Sequence, residues 1–93
     1  MNKRQINAVK KVIAYTRNAI AQGGGYYMPS DYQTAALYEL FSKACCAISK
    51  REYARFSAYL VSIVNANLNE VYTVCADEKQ LAAVEKALSL IAA

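Results

Sequence analysis

Histidine and tryptophan are both absent from this chain, proline occurs once, and the three glycines stand together. Each shortage excludes something. Without histidine the commonest general acid and base is missing, and Cys–His and Ser–His nucleophile pairs cannot form. A zinc site would lack its usual ligands as well, since the three cysteines, Cys45, Cys46 and Cys75, include no Cys-x-x-Cys spacing. An odd count with one adjacent pair is a poor disulfide framework, so the thiols read as reduced and the protein as cytoplasmic. Cys45 is expected at the edge of a buried face and Cys46 on the polar side. Long apolar runs are missing too: the stretch from Ala58 to Val64 is broken by Ser62 and falls far below the roughly 20 residues of a membrane span. Met1-Asn2-Lys3-Arg4 resembles the charged start of a signal peptide, but Asn7, Lys10 and Lys11 interrupt any apolar region behind it.

Acids are unevenly distributed along the chain. Residues 1–30 hold five cations and no Asp or Glu. Residues 1–55 carry nine Lys/Arg against three acids, and residues 56–93 two against four, within a net charge of +4. The basic half suits an anionic partner that the acidic half would repel.

What is present is largely helical. A chain of 93 residues, 56% hydrophobic and 19% charged, reads as one globular domain, 1–93. The expected fold is all-α, a compact four-helix bundle with helices at about 3–22, 31–48, 50–75 and 78–92. Ile6, Val9, Ile13, Thr16 and Ile20 recur at three- and four-residue steps, with Val12 beside them, and form one apolar stripe. Gly23-Gly24-Gly25 ends that helix in a hinge, since glycine takes the left-handed conformation at a helix C-terminus without steric cost. Ser30 and Gln33, Ser49 and Glu52, and Asp77 and Gln80 each have the spacing of a capping box. Leu37, Leu40, Phe41, Ala44 and Ile48 form the inner face of the second helix. Tyr53, Phe56, Leu60, Ile63, Val64, Val71 and Val74 form that of the third, and Leu81, Val84, Leu88 and Ile91 that of the fourth. Glu39 and Lys43 should pair at i, i+4. Run unbroken to Cys75, the third helix would be about 39 Å long against about 27 Å for the second. That overhang suggests either a bend near residues 65–69 or a homodimer that covers it.

No catalytic constellation is legible. Glu78 and Glu85 read as a solvated face beside Lys79 and Lys86. The glycine run lacks the Lys-Ser/Thr of a phosphate loop. The chain is therefore expected not to be an enzyme and to need no cofactor and no metal. Two surfaces qualify for binding. The first is tyrosine-rich: Tyr26, Tyr27, Met28 and Tyr32 in or beside the hinge, with Arg51, Arg55 and Tyr59 on the third helix, Tyr59 being expected to project off its apolar line. Tyrosine and arginine are enriched where proteins meet proteins, so these residues suggest a non-catalytic adaptor or inhibitor. On that view the pair Arg55→Ala and Tyr59→Ala leaves the fold intact. Tyr38 and Tyr53 are expected on or near buried faces. The alternative is nucleic acid, held by Lys3, Arg4, Lys10, Lys11 and Arg17 on the polar side of the first helix. A basic amphipathic helix can also lie on an anionic membrane, but burial of its Ile and Val in the bundle accounts for the apolar face, so no membrane partner is expected.

The opening Met1-Asn2-Lys3, followed by an amphipathic helix in a chain of this length, resembles small phage-encoded regulators. The resemblance covers one helix and implies a phage or mobile-element protein. It assigns no residue.

Overall fold

The computed structural model describes residues 1–22, 29–68 and 77–92. They form four α-helices: α1 (Lys3–Ala21), α2 (Asp31–Ala44), α3 (Lys50–Leu68) and α4 (Glu78–Ile91). The radius of gyration, 12.1 Å, matches the roughly 12 Å expected of a folded chain this long. The all-α helical bundle read from the sequence is the observed architecture, with no strand among the described residues. The glycine hinge at 23–28 and the continuation of the third helix through 69–75 lie outside the described residues.

Cap chemistry sets the helix starts. The Ser30 hydroxyl accepts from the Gln33 N–H at 3.1 Å, and the Gln33 side chain accepts from the Ser30 N–H at 2.9 Å. Ser49 and Glu52 do the same at 3.1 and 3.0 Å. Asp77 makes half of its box, accepting from the Gln80 N–H at 2.8 Å. A further reciprocal box, Asn2 with Gln5 at 2.8 and 2.9 Å, starts α1. Each box satisfies backbone donors that the first helical turn leaves without partners.

α2 ends at Ala44, four residues short of the expected Ile48. The Ala44 carbonyl accepts from the N–H groups of both Ala47 and Ile48, at 2.9 and 3.3 Å, closing a turn over residues 45–47. The chain must leave α2 and reach the Ser49 cap of α3, and those residues make the reversal. Cys45 is therefore exposed together with Cys46, not at the edge of the core.

α1 packs on α2 and α4, and α3 packs on α4 and α2, while α2 and α4 also touch. α1 and α3 thus stand at opposite corners and do not pack side by side. The space between them is filled by side chains, chiefly Val9, Val12, Leu37, Leu40, Phe56, Tyr59, Ile63 and Val84. Alanines make up much of the rest, with Ala8, Ala36, Ala44, Ala83 and Ala87 all buried. Small residues at helix contacts let the helices approach closely and leave the centre to a few large rings. Phe41 is half-buried and stacks on Tyr53, ring centroids 4.2 Å apart.

Tyr59 corrects the sequence reading. It is fully buried, and its hydroxyl lies 2.7 Å from the Thr16 hydroxyl across the core. The Thr16 hydroxyl also lies 2.9 Å from the Val12 carbonyl, to which it can donate, and either hydroxyl can be the donor in the Thr16–Tyr59 pair. The ring spans the long diagonal of the bundle, and the buried hydroxyl finds a partner, as buried polar groups must. Tyr38 departs in the other direction: expected near a buried face, it is 44% exposed.

Among the described residues, three ion pairs tie the surface. Glu39 and Lys43 pair within α2 at 3.6 Å, as expected. Glu85 and Lys86 do more than flank a solvated face. Glu85 binds Arg17 of α1, and Lys86 binds Glu52 of α3 at 2.9 Å. The Lys86 ammonium, with the Ser49 N–H and hydroxyl behind it, holds the Glu52 carboxyl down at about 2. A carboxyl whose folded value lies below its ordinary 4.5 adds stability that is fully present above pH 4.5 and is lost as pH falls toward 2. Glu52→Gln keeps the capping acceptor and removes the charge. Urea midpoints measured across that window should therefore fall less steeply with acid in Glu52→Gln than in the parent chain, and parallel curves would show that Glu52 does not contribute.

Candidate anion-binding groove

The N-terminal turns of α1 and α2 meet side by side, and a groove of about 500 Å³ opens between them. Lys3, Arg4, Asn7, Ala8 and Lys11 line it from α1, and Ser30, Tyr32 and Gln33 from the start of α2. Local sequence explains the placement. The Asn2 and Ser30 caps fix where each helix begins, and the buried Val9, Val12, Ala36 and Leu37 turn the opposite faces of both helices inward. The charged residues left outward on α1 are all cations.

The charged side chains that line the groove have one sign. No acid is among its described lining residues, and among the described residues no ion pair forms at Lys3, Arg4 or Lys11. The N-terminus of α2 adds the positive end of its dipole, partly offset by Asp31 in its first turn. The Arg4 guanidinium lies 4.7 Å from the centroid of the Tyr32 ring, a cation–π contact that joins the two helices across the groove. Tyr32 stays 41% exposed. Uncompensated cations, two amides, a hydroxyl and an accessible ring can together hold an anion and an aromatic group beside it.

The basic stripe expected on α1 is therefore divided. Lys3, Arg4 and Lys11 share this groove. Lys10 faces a different depression, of about 420 Å³, with Ile13, Glu85 and Leu88. Arg17 is neutralised by Glu85.

The tyrosine-rich set is divided further. Tyr26, Tyr27 and Met28 lie outside the described residues. Tyr32 is at the groove. Arg51 is exposed and Arg55 half-buried on α3, and neither lines the groove. Tyr59 is core and offers no contact surface. Ser30 and Gln33 were legible as a cap but not as groove walls, because the side-by-side start of α1 and α2 is a tertiary fact. Asn2 was legible by the rule that found Ser30.

Among the described residues no helix is long and apolar enough to cross a membrane, and no three potential metal ligands gather in one place. No protein-family model matches the chain, and neither a curated protein nor a solved structure is significantly similar to it.

Proposed function

We propose that this is a small non-catalytic binding protein whose working surface is the groove between the starts of α1 and α2, and that its ligand is nucleic acid. The observation that carries the reading is the groove's charge: Lys3, Arg4 and Lys11 line one depression with no acid among its described walls and no ion pair of their own among the described residues. Phosphates neutralised by such cations release counterions, which drives association. Asn7, Ser30 and Gln33 supply hydrogen-bonding groups between the charges, and Tyr32 supplies a face on which a base can stack. Lys10 and Arg17 are peripheral to this site.

A second reading keeps the groove and changes the ligand to an acidic segment of a protein, which would make the chain an adaptor or inhibitor. It is favoured by the exposed Tyr32 ring beside Arg4, the two residue types over-represented at protein interfaces. Fluorescence anisotropy separates the readings. Labelled oligonucleotides and a labelled acidic peptide of equal length and charge are titrated at low salt against the parent chain and against Lys3→Gln/Arg4→Gln/Lys11→Gln. Oligonucleotide binding that the triple variant loses supports the nucleic-acid reading. Peptide binding alone supports the adaptor reading. Binding that survives the triple variant removes the groove as the site.

A further inference from the structure

The turn that ends α2 presents two adjacent thiols that neither the core nor the groove uses. Cys45 and Cys46 are both exposed, with their Sγ atoms 3.6 Å apart. Neighbouring residues have Cα atoms only about 3.8 Å apart, whereas a relaxed disulfide wants roughly 4.4–6.8 Å. Direct oxidation of this pair is therefore strained. A bridging ion has no such difficulty. Two sulfurs bound at about 2.3 Å to a pyramidal trivalent centre, with about 95° between the bonds, stand about 3.4 Å apart, close to the separation these thiols already have. The helix has ended at Ala44, so both side chains can turn toward one point without breaking helical hydrogen bonds.

We propose that Cys45 and Cys46 form a two-thiolate chelate for a thiophilic metal or metalloid centre, of the chemistry shown by monosubstituted trivalent arsenicals. Sulfur donors select soft centres of this kind. Among the described residues no third potential ligand joins the pair, so the centre brings its remaining substituent with it. For phenylarsine oxide the balance is simple. Two S–H bonds break, two As–S bonds form, and the arsenic-bound oxygen leaves with both thiol protons as water. Arsenic stays trivalent and no electron is transferred. Cys46 raises the Cys45 thiol above its usual range by hydrogen bonding and by like charge.

The test titrates the full chain with phenylarsine oxide, counts free thiols with a chromogenic disulfide reagent and follows mass by mass spectrometry. One equivalent should add one phenylarsenic group and leave one of the three cysteines reactive. Cys75→Ser should bind as the parent does. Cys45→Ser and Cys46→Ser should each weaken binding by about 100-fold or more, the loss expected when the second arm of a chelate is removed. Circular dichroism on each variant confirms that the helices remain. Three free thiols after one equivalent would overturn the assignment. So would loss of binding in Cys75→Ser, or retention in either Cys45→Ser or Cys46→Ser.

Discussion

Tyr59→Ala should cost about 3–5 kcal/mol of folding stability, the range for deleting a large buried aromatic side chain. A chain of this length has about 5–14 kcal/mol in total, so this one substitution removes a large share and brings the domain near unfolding at ordinary temperature. The expectation follows from position. The ring is fully buried and spans from α3 toward α1, two helices whose backbones do not pack side by side. Removing it opens the centre of the bundle, and the flanking alanines are too small to close the gap. Tyr59→Phe separates the ring from the hydroxyl. It leaves the ring and removes the hydrogen bond between the Tyr59 and Thr16 hydroxyls. The cost should be about 1 kcal/mol, or a melting temperature lower by about 4–8 °C for a domain this size. Thermal and urea unfolding of the two variants check both figures. If Tyr59→Ala unfolds with the parent's midpoint, the diagonal contact contributes nothing. The tyrosine read from the sequence as half of a partner-binding pair with Arg55 is thus expected to act on stability first.

Why Tyr59 misled, and the helix starts did not, has a physical basis. A capping box is local: Ser30 and Gln33, or Ser49 and Glu52, interact within one turn, so three-residue spacing is enough to place them. The apolar stripes are local too, and Val9, Val12, Leu37, Leu40, Phe56, Ile63, Leu81 and Val84 are all core, as their periodicity implied. Tyr59 lies beside the line drawn by Tyr53, Phe56, Leu60 and Ile63. Whether that edge faces solvent or a neighbour depends on which corner of the bundle α3 occupies, and the periodicity of one helix says nothing about corners. The end of α2 failed for a related reason. Residues 45–48 are compatible with helix, and the need to reverse direction before the Ser49 cap comes from tertiary packing. The groove was half legible. Its cations stood out because residues 1–30 hold no acid. The separation of Lys3, Arg4 and Lys11 from Lys10 and Arg17 required knowing that α2 lies along one flank of α1 and α4 along the other.

Oligonucleotide binding at the groove should fall steeply with salt. Three phosphates neutralised by Lys3, Arg4 and Lys11 imply a slope of log K against log salt of about −2 for single strands and about −3 for duplex, hence about 20- to 40-fold weaker binding between 50 and 200 mM. Each replacement by glutamine should flatten that slope by about one unit and weaken binding to all sequences alike, since a phosphate contact carries no base information. Lys79→Gln is the matched control: it removes an exposed cation from α4 that does not line the groove, and it should leave the slope unchanged. Tyr32→Ala should behave differently again. It removes no phosphate-pairing charge, so the slope stays while single-strand affinity falls by about 1–3 kcal/mol for one lost base stack. That split places charge and stacking in one groove by two separate signatures. A slope that Lys79→Gln flattens as much as Lys11→Gln does would mean that the whole basic surface attracts the strand and that the groove has no special role.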